Sequence, residues 1–250
     1  MTTAAEPRLA ERAPAADSDP LNFCGTCAFS QACLSQGMDK TAVAELHALV
    51  EHIGPLRPGE QVFRVGEPFE AIAAVRAGTV KTCVIDRNGN EHVLGFHLPG
   101  EVIGLDGIDG DRYPCNAVAL DTVTLCRFSF PKMALLASKV PDLQRELFRL
   151  MSRNINNAAL LAGDFSADER MAAFLLGLSR RYAARGYSAR QFQLTMPRTD
   201  IANYLRLAPE TVSRVLKRFQ ADGLLQVQRR DVELLDMDAL EQLASAVLRS

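Results

Sequence analysis

Apolar positions recur along the chain with two different periods. From Asp39 to His52 they fall at Val43, Leu46, Leu49 and Val50, the spacing of a helix, with Asp39 placed to cap it. From about Pro55 to Phe130 the period shortens. Runs at Gln61–Val65, Ala71–Val75, Val80–Ile85, His92–Leu98 and Val118–Phe128 alternate with glycines at 59, 66, 78, 89 and 100. Asn88-Gly89 is a hairpin signal. Short strands at this spacing predict an antiparallel barrel or jelly roll.

The helical period then returns. A short helix is expected over Pro131–Ser138. A longer one opens at Pro141, with proline at its first position and Asp142 at its positive end. Its apolar stripe reads Leu143, Leu147, Leu150 or Met151, Ile155, Ala158, and Leu161 or Ala162. An unbroken stripe of this length between two domains predicts self-association, with Leu147, Met151, Ile155 and Ala158 as interface positions. Ser166 to Glu169 forms a capping box ahead of Met171, Phe174, Leu175 and Leu178. Short β runs are expected around Phe192 and Leu194–Met196, and a wing at Leu224–Val227 and Val232–Leu235.

Thr199 to Phe219 carries the clearest functional pattern. Ile201, Ala202 and Leu205 make one short amphipathic helix, which Thr199 is placed to cap. A turn follows at 206–208, and Pro209 opens a second helix buried through Val212, Val215, Leu216 and Phe219. Two helices joined this closely, with a small Ala202 where they cross, form a helix-turn-helix. The opposite face of the second helix presents Glu210, Ser213, Arg214 and Lys217. Arginine can chelate a guanine edge, glutamate can accept from cytosine, and serine can bond a base or phosphate. Arg206 stands at the turn position that favours glycine, at a cost of about 1 kcal/mol.

Charge adds locality. The 250-residue chain has a net charge of -2, so nothing global points to nucleic acid. Between Arg198 and Arg230, however, seven basic residues face three acidic ones. The double-stranded DNA partner is therefore expected at this segment. Residues 1–22 read as a disordered lead rather than a signal peptide, and no apolar run is long enough to span a membrane. A cytoplasmic setting makes paired disulfides unexpected.

Six cysteines then need another use. Cys24, Cys27 and Cys33 follow a C-x2-C-x5-C spacing that lets three thiolates converge on one inorganic centre. Soft ligands favour zinc or iron–sulfur, and spacing alone leaves both open. Cys83, Cys115, Cys126, His47, His52, His92 and His97 are candidates for a fourth ligand. No nucleophile–base pair or phosphate-binding loop is present, so an enzyme is not expected.

The stretches CGTCAFSQAC, GFHLPGEVIGLDGI, TVTLCRFSF, ERMAAFLLGLSRRYAARGYS, FQLTMPRTDIANYL and ETVSRVLKRFQ together resemble the fumarate and nitrate reductase regulator (FNR) family of the cAMP receptor protein superfamily. The resemblance implies an α+β chain. Residues 23–140 would form the cluster-binding segment and an N-terminal double-stranded β-helix of the cyclic-nucleotide-binding type. Residues 141–165 would form the dimerisation helix, and 166–250 a winged helix-turn-helix. It implies an oxygen-responsive regulator with a [4Fe–4S] cluster on Cys24, Cys27, Cys33 and Cys126, the last from TVTLC. It also implies a homodimer reading TTGAT-N4-ATCAA-type palindromes through Glu210, Ser213 and Arg214. RNA polymerase is an implied partner near the Asp86–Asn90 loop, although a plain hairpin turn is the more economical reading of those residues. Family members can carry aspartate where this chain has Ala158. Losing that like-charge pair predicts a dimer less dependent on the cluster. The other reading is a β-roll regulator answering haem, nitric oxide or a nucleotide, with cysteines structural or zinc-binding. For a nucleotide, the segment LDGIDGDRYPCNAVA lacks the family's hydroxyl-and-amide phosphate cradle, since Arg112 is followed by Tyr113-Pro114.

Overall fold

The structure is a computed structural model that describes residues 24–160 and 163–248, without the side chains of 156–160. The expected lead at 1–22, the stripe positions Leu161 and Ala162, and the side chain of Ala158 lie outside the described residues.

Two four-stranded antiparallel sheets face each other as a roll. The first has the order β1(Val50–Leu56)-β8(Val123–Ser129)-β3(Ala71–Ala77)-β6(Val102–Ile103). The second has the order β2(Gln61–Phe63)-β7(Asn116–Ala119)-β4(Val80–Ile85)-β5(Glu91–His97). Inward side chains such as Val75, Val80, Ala117, Val123 and Leu125 fill the space between them. The Asn88-Gly89 hairpin forms as expected: the Asp86 amide donates to the Asn90 carbonyl at 2.9 Å, and Gly89 takes a left-handed φ of 84°.

Three sequence expectations are corrected here. Helix α1 is Lys40–His47, capped by Asp39 as expected, whose carboxylate accepts the Ala42 amide at 2.8 Å. Leu49 and Val50 do not continue it. Val50 opens β1, which pairs with β8 from Val50↔Phe128 onward, so the apolar residues there bury against a sheet. The single run Val118–Phe128 is two strands, β7 and β8, broken at residues 120–122. Leu194–Met196 is not a strand; only Gln191–Gln193 (β9) is.

Helix α2 (Phe130–Ala137) leads to α3 (Pro141–Leu160), the long helix of the resemblance. Leu143 is fully buried in a core built from Leu34, Leu46, Ile72, Phe128 and Met133. Leu147, expected at a dimer interface, packs with Leu150 against this same core. Beyond it the helix exposes Phe148 at 62%, Met151 at 37% and Ile155 at 70%. Phe148 was not part of the stripe read from sequence.

The C-terminal domain comprises α4 (Ala167–Ala183), β9, α5 (Arg198–Leu205), α6 (Pro209–Ala221), β10 (Leu225–Gln228), β11 (Asp231–Leu234) and α7 (Met237–Leu248). The capping box at the head of α4 forms in both directions: Glu169 N donates to Ser166 Oγ at 3.3 Å, and Ser166 N donates to Glu169 Oε2 at 2.8 Å. The three-stranded sheet β10-β11-β9 supplies the wing.

This domain rests on the exposed edge of the second sheet. Val93, Phe96 and Leu98 join its hydrophobic core, and the Phe96 ring lies 6.2 Å from Phe174 and 5.4 Å from Tyr204. Strand β5 has an unpaired edge, and an Asn203 side chain from α5 pairs it as a peptide group would. Its oxygen accepts the Val93 amide at 2.7 Å, and its nitrogen donates to the Glu91 carbonyl at 2.5 Å. Lys81 bridges the same boundary, 2.7 Å from Glu91 and 2.9 Å from Asp200.

His97, on β5, makes the fold acid-sensitive. Burial pushes its imidazole down to about 4, against the pull of Glu101, and its Nε2 lies 3.1 Å from Thr82 Oγ1. An unfolded histidine titrates near 6.5. The unfolded chain therefore binds the extra proton first, so stability falls as pH drops from about 6.5 toward 4 and this loss stops below 4. Unfolding free energies from denaturant titrations should decline by about 3 kcal/mol across that window in the wild type and flatten in His97→Gln. Equal slopes in both would remove His97 as the cause.

Candidate cluster site and nucleic-acid interface

The cysteine segment is a pair of tight turns. Residues Cys24–Thr26 and Ser30–Ala32 each form a short 3-10 turn. The Ser30 amide donates to the Cys27 carbonyl at 3.1 Å, and Ser35 Oγ donates to the Ser30 carbonyl at 3.2 Å. Leu34, next to Cys33, is fully buried. Its burial contributes about 2 kcal/mol and pins the segment to the roll. Cys126 sits mid-strand in β8 between His52 of β1 and Ala74 of β3.

The fold brings Cys24, Cys27, Cys33 and Cys126 into one patch, although 93 residues separate Cys33 from Cys126. Burial pushes the Cys24 thiol up to about 12, and the sulfurs of Cys126 and Cys27 push it further in the same direction while Arg76 opposes them. Burial likewise takes Cys33 to about 12. The Leu34 amide opposes that shift, and Cys126, Cys24 and Cys27 add to it. Cys126 is raised to about 11 by burial, against Arg76 and with Cys27. Each sulfur therefore lies in the field of the others. Bare thiolates are disfavoured there, and a cationic centre would remove the mutual repulsion as it displaces the protons.

Two imidazoles border the patch. His47 Nδ1 lies 3.8 Å from Cys24 Sγ, and His52 Nδ1 lies 3.8 Å from Cys126 Sγ. Among the described residues no set of three or more His, Cys, Asp or Glu is drawn tightly enough to hold a single ion. Four sulfurs around one zinc stand only about 3.8 Å apart, from 2.3 Å bonds at tetrahedral angles. A single zinc would therefore need the four sulfurs drawn closer together than they stand. Cys83 and Cys115 lie elsewhere. Both are buried, and Cys115 Sγ donates to Asp106 Oδ2 at 3.1 Å.

The roll interior is packed with side chains. Phe63 and Tyr113 stack with centroids 4.0 Å apart, Phe69 meets Tyr113 edge-on, and the Tyr113 hydroxyl donates to the Ala71 carbonyl at 2.6 Å. Arg112 donates to the Gly66 carbonyl at 2.5 Å, so its guanidinium is engaged by the roll's own backbone. A nucleotide phosphate finds no prepared partner in that arginine.

On the DNA side, α5 and α6 cross through Ile201, Ala202, Leu205, Val212 and Val215, all buried. Arg206 takes the left-handed turn position, with φ 56° and ψ 45°, and the Leu207 amide closes the turn onto the Ala202 carbonyl at 2.9 Å. Pro209 starts α6. Glu210, Ser213, Arg214 and Lys217 are all exposed on one face. In the free protein Ser213 Oγ donates to the Pro209 carbonyl at 3.1 Å, and Arg214 Nε donates to the Glu210 carbonyl at 3.4 Å. Thr199 is exposed but does not cap α5. It stands inside the helix, Pro197 occupies the capping position, and no side-chain capping bond is made.

Sequence reading misses Arg76 at the thiol patch, and Glu101, Arg181 and Asn203 at the domain boundary. His47 and His52 enter it only as candidate ligands. The placement of His52 beside Cys126 is a strand register between residues 74 apart, which no local pattern encodes.

Comparisons with known proteins agree with this architecture. Residues 54–139 match the cyclic nucleotide-binding domain family, and residues 169–243 match the Crp-like helix-turn-helix domain family. The transcriptional activator protein anr of Pseudomonas aeruginosa is 43% identical over 232 residues, covering 92% of this chain and 95% of that protein. The fumarate and nitrate reduction regulatory protein of Escherichia coli K12 is 39% identical over 224 residues, covering 88% and 90%. The solved structure of FixK2 from Bradyrhizobium japonicum superposes with a TM-score of 0.70 at 29% identity, over 78% of this chain and 96% of that one. The relatives are transcription regulators, not enzymes, and no described helix is long and apolar enough to cross a membrane. The exposed reading face on a helix-turn-helix, the β-roll and these matches place the chain in the FNR family of the cAMP receptor protein superfamily, as a DNA-binding transcription regulator.

Proposed function

We propose that this protein is an oxygen-responsive transcription regulator in which a [4Fe–4S] cluster on Cys24, Cys27, Cys33 and Cys126 governs dimerisation and binding to a TTGAT-N4-ATCAA-type palindrome. The observation that carries the reading is the gathering of four thiols, three from a loop and one from a distant strand, close enough that they bear on one another's ionisation. The donor set fits: four soft sulfurs, partly buried, beside the Arg76 cation and two imidazoles. The names of the relatives, which include an anaerobic regulatory protein of Pasteurella multocida 40% identical to this chain, support the oxygen link.

A cluster held by Cys24, Cys27, Cys33 and Cys126 would supply a redox-labile joint sensitive to molecular oxygen. The chain's own residues supply the rest. The three loop cysteines and Cys126 fasten the segment to β8, while Leu34 holds its far end in the core of α1, α2 and α3. The exposed Phe148, Met151 and Ile155 form an apolar face that a second copy of the chain would cover. Two copies would set their α6 helices about 34 Å apart, matching successive major grooves. Releasing the loop would shift the population toward a form poor at binding DNA. RNA polymerase contact through the Asp86–Asn90 hairpin belongs to the same proposal.

Iron and acid-labile sulfide analysis of protein prepared without air, beside a gel shift on the palindrome, tests this reading. About four of each per protomer, lost in air together with DNA binding, is the expected result. Zinc in place of iron would overturn it. Because Ala158 removes a like-charge pair, the air-exposed protein should retain some dimer on a sizing column at micromolar concentration. A clean monomer would refute that part.

A further inference from the structure

The sensory loop and the DNA-binding domain meet at a point away from α3. The turn Leu98–Glu101 follows β5. Gly100 occupies it with φ +88°, and a Cβ there would stand 3.1 Å from the Ala32 Cβ, 3.2 Å from the Ala32 carbonyl and 3.3 Å from the Phe29 Cβ. Only glycine suits such a conformation under so close a neighbour. The loop between Cys27 and Cys33 therefore lies directly on this turn.

The next residue holds the DNA-binding domain. Glu101 Oε2 accepts the Leu98 amide at 3.0 Å, fixing the turn. The same carboxylate receives Arg181 at both oxygens, at 2.8 and 2.5 Å, and Arg185 at 2.7 Å. Arg181 also donates to the Phe96 carbonyl at 2.5 Å, and Arg185 donates to the Pro99 carbonyl. Arg181 lies in the last turn of α4 and Arg185 two residues beyond its end. Burial alone would raise the Glu101 carboxyl, yet the two guanidiniums hold it down to about 2. A second contact joins the same parts: the Phe29 ring lies 6.3 Å from Tyr187, just past α4.

We infer that the Leu98–Glu101 turn is a relay. The cysteine loop presses on Gly100 and Tyr187, Glu101 clamps Arg181 and Arg185, and together they set how firmly the DNA-binding domain docks on the edge of β5. Glu101 is a positioning residue in this device, and Phe29 is its input. The mechanical coupling stands on these contacts alone, while its use as an oxygen signal rests on the proposed function. When the loop is fastened to Cys126, the clamp is in register and the domain is held. When the loop moves, Gly100 and Tyr187 lose their support and the domain is freed from β5. This route reaches the reading head within one protomer, independently of the dimer helix.

The Val93 amide is a direct reporter, because it donates across the boundary to Asn203. Hydrogen exchange at that amide should be measured in the full-length protein for wild type, Glu101→Gln, Phe29→Ala and Tyr187→Ala. Tyr187 is 53% exposed, so its variant keeps the fold even if the others do not. Amides inside the roll, such as Ala117, serve as the folding control. Expected are about tenfold faster exchange at Val93 in Glu101→Gln and at least threefold in Phe29→Ala and Tyr187→Ala, with Ala117 unchanged. Acceleration in Glu101→Gln alone would leave a plain clamp and overturn the relay, as would no change in any variant. Repeating the wild-type measurement before and after air exposure separates the two layers. Absence of iron sinks the cluster reading without touching the variant result. Iron present with identical Val93 exchange in both states sinks the signalling role.

Discussion

Replacing Cys126 with alanine is expected to remove essentially all iron and sulfide from the protein and to weaken palindrome binding by about a hundredfold or more. Cys126 is the one proposed ligand on a strand, between β1 and β3 in the sheet, and the other three sit on a loop. Three loop thiols can bind metal among themselves, yet they have nothing rigid to be tied to. The loss in DNA affinity follows because two linked heads bind at high effective concentration, typically worth about 10² to 10⁴ over a single head, and the residual dimer expected from Ala158 keeps it at the lower end of that range. The fold should tolerate the change. Cys126 is only half-buried at the margin of its core, so thermal stability should fall by about 1 kcal/mol or less. Anaerobic iron content and a binding titration check the prediction together. Wild-type iron content in Cys126→Ala would remove this residue from the site.

Arg214→Ala should cost about 1–3 kcal/mol at each half-site, hence about 2–6 kcal/mol across a symmetric palindrome. That is between about thirtyfold and about twenty-thousandfold in affinity. Arg214 is exposed, and among the described residues its side chain donates to the Glu210 carbonyl. Its removal leaves the buried stripe of Val212, Val215, Leu216 and Phe219 intact, so the whole effect should appear in binding. Lys217→Ala is the contrast. A phosphate contact carries no sequence information, so its loss should weaken all DNA alike and lower the salt slope by about one per head. Titrations on the palindrome and on scrambled DNA at one salt concentration separate the two. An Arg214→Ala loss of equal size on both duplexes would show that this residue does not read bases.

The recognition helix illustrates what local sequence conveys. Pro209 at the first turn, the buried spacing from Val212 to Phe219 and the polar residues between them all lie within one helix. Their roles follow from a period of 3.6 residues, and the structure places each on the expected face. The Ser166 capping box and the Asn88-Gly89 hairpin are equally local, and both form. Thr199 shows the limit even there. Its side chain suits a cap, but Pro197 sets the helix start two residues earlier.

The failures are non-local. Leu147 has the same chemistry and the same helical phase as its neighbours on the stripe, but it packs in part against the roll core, and Phe148, Met151 and Ile155 are the exposed large apolar residues on the described part of α3. Val50 reads as the end of a helix until β8 arrives to pair with it. Glu101 looks like one more surface charge, because its partners lie 80 and 84 residues away.

By itself, then, the chain's order of residues determined most of the elements, the reading face, the three-cysteine spacing and the family, since each rests on periods and spacings no longer than one element or motif. Tertiary structure alone decided that Cys126 stands within the field of the other three sulfurs, that the DNA-binding domain covers the β5 edge, and that Gly100 and Glu101 lie between them. Those facts depend on which distant surfaces close on one another. That choice is made by summed burial and edge pairing over the whole molecule, which no short window of sequence contains.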